Sequence, residues 1–332
     1  MATLIHFSLK GGAVDISSEQ EKVIWSFGGG KGGSGRTLLA TNLAILLARD
    51  GKDVILFDGN LGCANAHTAL GMKHPSKTLS DFLQGRVADL SDVIVPTPFN
   101  NLRLIPGAKD AINAANPNSA VKTKLVKRLR SIPCEHLFLD IGPGTNFQAA
   151  DFFLEGHIQV MLITPEPTAV ETAYRFIRAS IHRKLKNIVD RPLFEEYLDE
   201  GFGDMGEGNL IARLESILEK IEKTDSQVAE KVAKALYEME FKLVVNQARD
   251  RHDRYLGPSI CEIVNKFYGI HMDYAGIIPF DERVPHSFRR NTPFLVEYGK
   301  SETAAHFSLI LKELLKLAPE RAKSNQLNLI SS

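Results

Sequence analysis

Cysteine is scarce in this sequence: Cys63, Cys134 and Cys261 are the only three in 332 residues, and none stands in a C-x-x-C pair. That excludes a disulfide framework and a four-thiolate metal site built within one chain, and it suits a reducing compartment, here expected to be the cytoplasm. A surplus of either charge is also missing, with 40 Lys and Arg against 40 Asp and Glu. The whole-chain basic footprint of a dedicated nucleic-acid binder is therefore absent, and DNA is not an expected partner. No apolar run approaches the roughly 18 residues of a membrane span, and the first residues lack the charged-then-apolar pattern of a signal peptide. The ten histidines show no H-x-x-x-H or H-E-x-x-H spacing, so a histidine-based metal site has no support. What is present is an ordinary globular composition, 44% hydrophobic and 24% charged, sufficient to bury a sizeable core.

Along the chain, short apolar runs alternate with helical periodicity. Val23–Phe27 stops at Gly28-Gly29-Gly30, Val54–Phe57 ends at Asp58, and Leu102–Ile105 precedes Pro106-Gly107. Leu137–Leu139 ends at Asp140, Ile158–Ile163 at Thr164-Pro165, Phe241–Val245 at Asn246 and Ala275–Ile278 at Pro279. Runs closed by turn residues read as buried strands. Between them, helices are expected over Arg36–Arg49, Ser119–Arg130, Thr168–His182 and Ser301–Leu317. The alternation predicts an α/β fold with a mostly parallel, doubly wound sheet. A loosely ordered arm is expected over residues 1–20, one domain over 21–318 with a helical insertion at about 183–240, and a polar tail over 319–332. Lys122, Lys124, Lys127, Arg128 and Arg130 read as the solvated face of an amphipathic helix.

The segment Gly30-Lys31-Gly32-Gly33-Ser34-Gly35-Arg36-Thr37 lies between the first strand and the first helix. Glycines there let successive N–H groups turn inward, and the helix N-terminus adds partial positive charge, a setting that holds polyphosphate. Thr37 supplies the hydroxyl that such loops offer to Mg²⁺. Arg36 stands where the usual motif has lysine. It keeps the charge but presents a planar fork instead of a compact ammonium.

The early lysine of Lys31-Gly32-Gly33-Ser34-Gly35-x-Thr37 resembles the deviant Walker A motif of the MinD/ParA/FlhG group of P-loop ATPases. The segment from Phe57-Asp58-Gly59-Asn60 to Asn65 is similar to that group's switch I, Leu137–Gly144 to its Walker B and switch II, Val244–Gln247 to its adenine-recognition strand end, and Ile278–Val284 to the loop that closes over the base. The resemblance implies a P-loop NTPase domain that binds ATP and Mg²⁺ and dimerises with ATP, Lys31 reaching the partner's phosphates. Asp58, Asp140 and Thr37 would serve the metal and the attacking water, and Asn246 and Asp281 the base. Gly30, Gly32, Gly33, Ser34, Gly35, Arg36 and Thr37 would cradle the phosphates.

Asn60 departs from the group's usual aspartate, and a neutral amide cannot accept a proton. Two functions follow from the resemblance and its departures: a weak ATPase that positions a flagellum, division site or polar complex with an unidentified protein partner, or a nucleotide-binding scaffold that does not hydrolyse. Peripheral contact with a membrane surface is a further use of such chains, but the helix at Phe307–Leu317 is expected to pack against the sheet.

Overall fold

A computed structural model of the chain describes residues 22–60, 64–108, 119–145, 147–186, 188–189 and 221–316. The arm at 1–20, the tail at 319–332, Cys63 and most of the expected insertion lie outside them. The eight strands are β1 (Val23–Gly28), β2 (Val54–Gly59), β3 (Val95–Pro96), β4 (Leu102–Ile105), β5 (His136–Ile141), β6 (Ile158–Ile163), β7 (Glu240–Ala248) and β8 (His271–Pro279). They form one sheet in the order β3-β4-β2-β5-β1-β6-β7-β8. Only the β3–β4 pairing is antiparallel. The doubly wound sheet expected from the alternation is thus found, and its direction of winding reverses at β1. In such sheets ligands bind beyond the strands' carboxyl ends at the reversal.

Two cores sandwich the sheet, and the period-two geometry of a strand divides residues between them. Trp25 and Phe27 of β1 point to one face, where α1 (Arg36–Arg49) and the last helix lie, whereas Ile24 points to the other. Both faces being covered explains why these strands read as nearly continuous apolar runs. The helix α1 is buried on most sides and ends in a Schellman turn, with Gly51 N–H donating to Ala48 O and Lys52 N–H to Leu47 O.

The remaining helices are α2 (Ala66–Ala69), α3 (Leu79–Leu83), α4 (Ser119–Ser131), α5 (Phe147–Leu154), α6 (Pro167–Lys186), α7 (Ser226–Tyr237), α8 (Asp253–Phe267), α9 (Arg283–Arg289), α10 (Phe294–Glu297) and α11 (Glu302–Leu315). The last, α11, buries Phe307, Ile310, Leu311 and Leu314 in the core with Phe294, so its apolar face is occupied within the protein. The described ends of the expected insertion are helical, being the end of α6 and α7.

The basic face of α4 is more engaged than a solvated face. Lys122 pairs with Asp151, which Arg183 also grips through Nε at 2.6 Å; Arg128 pairs with Asp89 and Arg130 with Glu155; Lys124 lies over the Phe82 ring. These cations tie α4 to its neighbours.

Candidate functional site

Beyond the carboxyl ends of β1, β5, β7 and β8 lies a cleft of about 480 Å³. Gly32, Gly33, Ser34, Gly35, Arg36 and Thr37 line its floor. Gly35 caps α1 in the left-handed region at φ 93°, and a Cβ there would stand 2.1 Å from Asn246 Nδ2. Only glycine meets both conditions, and the loop thereby runs directly into the N-terminus of α1. The Ser34 hydroxyl, buried at the cleft wall, has no hydrogen-bond partner in the protein, the kind of orphan that a ligand or water satisfies.

The strand end of β7 holds this loop. The β7–β8 register shifts between Val245 and Ala248, and Gln247 adopts a left-handed φ of 61°. This turn brings two amides against the loop: Asn246 Nδ2 donates to Ser34 O at 2.8 Å and Gln247 Nε2 to Gly33 O at 3.1 Å. Asn246 Oδ1 accepts from Gln247 N–H at 2.9 Å, so both ends of the Asn246 amide are engaged inside the protein although the residue lines the cleft. Two further bonds close the loop, Arg36 Nη1 to Lys31 O at 3.0 Å and Gly144 N–H to Gly30 O at 2.7 Å. The second joins the phosphate loop to the segment after β5.

Asp58 and Asp140 stand opposite each other in the β2–β5 ladder, and both side chains are buried. Thr37 Oγ1 donates to Asp140 Oδ2 at 2.6 Å. Asp58 accepts from Ala66 N–H at 2.9 Å and Asn60 N–H at 3.2 Å, which fixes the chain leaving β2. Burial and then the charge of Asp140 raise the Asp58 carboxyl above its usual range; burial likewise raises Asp140, opposed by the Thr37 hydrogen bond and the nearby Arg36 guanidinium. Two crowded carboxylates beside a hydroxyl form a hard oxygen donor set, the chemistry that suits Mg²⁺. Thr37, Asp140 and Asn60 line the cleft, whereas Asp58 stands behind it.

Lys31 and Gly30 are absent from the cleft lining. Lys31 instead turns outward, pairing with Glu166 and donating to Thr168 Oγ1 at 3.0 Å at the start of α6. Asp281 reaches the cleft, but its carboxylate organises the loop after β8: Oδ1 accepts from Arg283 N–H and Nε, and Oδ2 from Arg283 Nη2 and the Thr303 hydroxyl. Val284, Pro285 and Phe288 complete an apolar wall there. Val284 ends the segment likened to the loop over the base, whereas Pro285 and Phe288 have no motif of their own; the turn of α9 brings them over the cleft.

Away from the cleft, Glu240, His271 and Asp273 gather at the other end of β7 and β8, close enough to hold a metal ion. The ammonium of Lys242 already sits among them, 2.6 Å from Glu240 Oε1 and paired with Asp273. The place between the two carboxylates is thus taken by a cation of the chain itself. Among the described residues no helix is long and apolar enough to cross a membrane.

A phosphate loop opening onto a buried acidic pair at the reversal of a parallel sheet defines a P-loop nucleotide-binding domain. Residues 25–294 match the CobQ/CobB/MinD/ParA nucleotide binding domain, and the chain belongs to that family. It is 22% identical to the antiactivator FleN of Pseudomonas aeruginosa over 289 residues, 86% of this chain and 84% of that protein. It is also 27% identical to the flagellum site-determining protein YlxH of Helicobacter pylori over 170 residues, 49% of this chain and 57% of that one. Its fold is similar to that of the septum site-determining protein MinD of Pyrococcus horikoshii, complexed with Mg-ADP, at a TM-score of 0.60 and 21% identity, covering 91% of this chain and 99% of that chain.

Proposed function

We propose that the chain is an ATP- and Mg²⁺-dependent dimerisation switch that hydrolyses ATP slowly and positions or regulates a cellular assembly. The carrying observation is the split at the loop: Gly32, Gly33, Gly35, Arg36 and Thr37 line one cleft, while Lys31, from the same loop, points out of it. A lysine directed away from its own subunit's cleft is available to a second copy, the role implied by the deviant Walker A resemblance. The loop N–H groups and the start of α1 would hold the phosphates. Thr37 and Asp140 would hold Mg²⁺, with Asp58 supporting from behind; the ion would draw charge from the phosphate oxygens. YlxH lends the flagellar context by its name alone.

Slow turnover follows from Asn60, whose amide lines the cleft but can neither take a proton nor add charge. A second reading, a scaffold that binds nucleotide without hydrolysing it, draws support from Arg36, whose Nη1 bonds the loop's own backbone. Phosphate release with Mg-ATP, run beside nucleotide-dependent sizing, separates the two. Lys31→Ala is expected to retain ATP binding and to lose ATP-dependent dimerisation. Equal loss of both would make Lys31 a phosphate ligand of its own subunit, and a wild type that releases no phosphate would favour the scaffold.

A further inference from the structure

We propose that Phe280 is the stacking platform for the base of the bound nucleotide and that Arg249 is the positioning residue that holds its ring; this rests on the nucleotide-binding reading above. The Arg249 guanidinium lies 3.6 Å from the centroid of the Phe280 ring. Phe280 lines the cleft and remains 37% exposed, while Phe27, Phe57, Phe138, Phe153 and Phe241 are fully buried. With Arg249 over one face, the surface left to the cleft is the ring's other face and edge.

The two residues come from the ends of paired strands, and their backbones are fixed. Phe280 N–H donates to Ala248 O at 2.8 Å, and Arg249 N–H donates to Asp253 Oδ2 at 2.7 Å. The guanidinium's contact with the ring is what orients it. Ile278, Val284, Pro285 and Phe288 make the adjoining wall apolar, suited to a flat aromatic ligand and not to phosphate.

A guanidinium on an aromatic face is attracted by the ring's quadrupole. Holding the ring before the base arrives reduces the ordering that binding must impose. Base–aromatic stacking contributes on the order of tenfold to hundredfold in affinity. The guanidinium, acting through the ring, contributes a smaller factor, about two- to fivefold.

The test measures dissociation constants of the full chain for Mg-ATP and for inorganic tripolyphosphate, which carries the phosphates without a base. Phe280→Leu is expected to weaken ATP about tenfold or more while leaving tripolyphosphate within about twofold. Arg249→Met should weaken ATP about threefold with tripolyphosphate unchanged, and Arg249→Lys should recover part of that loss. A fluorescent etheno-adenine analogue of ATP should be quenched on binding the wild type and less so on binding Phe280→Leu. Parallel loss of both ligands in Arg249→Met would make Arg249 a phosphate contact and overturn its positioning role. Unchanged ATP affinity in Phe280→Leu would remove the platform. A wild type that binds tripolyphosphate but gains nothing from the base would overturn this proposal alone, whereas one that binds neither ligand would overturn the nucleotide reading and the proposal with it.

Discussion

At the carboxyl end of β2 and β5, Asp58 stands opposite Asp140; at the amino end of β7 and β8, Lys242 stands opposite Asp273 and Glu240 opposite His271. Both places put ionisable groups on adjacent strands of one parallel sheet, at opposite ends of it. The β7–β8 group has a cation in direct contact, with Lys242 bonded to two carboxylates and His271 Nε2 3.0 Å from Asp273 Oδ1. The β2–β5 pair is two like charges, eased by one hydroxyl, a few backbone N–H groups and the field of Arg36. Closeness of charged side chains does not by itself mark a binding site. Charge that the chain leaves uncompensated does, because a cation then has something to gain by arriving.

The largest effect expected from this contrast is at the end that holds Lys242. Lys242→Met leaves Glu240 and Asp273 facing each other and should lower stability by about 3 kcal/mol, the low end for breaking a buried pair because Asp273 is itself partly exposed. Urea unfolding measures it, and a loss below half a unit would mean the cluster is already solvated. Next, Asn60→Asp with Arg36→Lys adds a carboxylate and restores a compact ammonium at the other end. Turnover should rise about 10²-fold with little change in ATP affinity. Single changes can show little if both act on the same transferred group. A double variant no faster than wild type would favour the scaffold.

Third, Asp140→Asn removes one of two like charges. A carboxyl held above its unfolded value contributes stability at low pH that is lost as pH rises through the folded value. Neutralising it should therefore raise the stability of the nucleotide-free protein near pH 7, by about 1 kcal/mol, while abolishing the thermal shift given by Mg-ATP. A variant destabilised without ligand would break the comparison. The smallest effect is at His136, where Trp25 Nε1 donates to Nδ1 at 3.2 Å. Burial lowers the His136 value from 6.5, against a raising effect of Glu135 and with a lowering one from Lys52. The unfolded chain therefore takes up the proton first, and stability declines as pH falls through 6.5 towards the folded value. Trp25 is the only tryptophan, so its fluorescence follows unfolding at each pH, and His136→Phe should flatten the slope.

Strands β1, β2, β5 and β7 were legible because each is an apolar run closed by a glycine or a polar residue: Gly28, Asp58, Asp140 and Asn246. The strand β8 was read as Ala275–Ile278 but spans His271–Pro279, because His271 and Asp273 look like loop until Glu240 and Lys242 are seen beside them. Helix α8 has no clear signature in the sequence, since Gly257-Pro258 is a breaker signal. Here the glycine admits the Tyr274 ring, which a Cβ would meet at 2.2 Å, and tertiary packing overrides the proline's missing N–H. The direction of Lys31 and the use of Asp281 as a loop organiser depend on side-chain geometry and have no sequence signal.

The buried amide of Asn42 in α1 carries a consequence for synthesis. Its Oδ1 accepts from Leu295 N–H at 3.3 Å, a bond that spans 253 residues. At about 5–20 residues per second, a ribosome needs on the order of 10–50 s to make the partner after Asn42 emerges. During that interval the face of α1 that Phe294, Phe307 and Ile310 will cover has no lid. A stalled or truncated chain lacking α10 and α11 leaves that face bare.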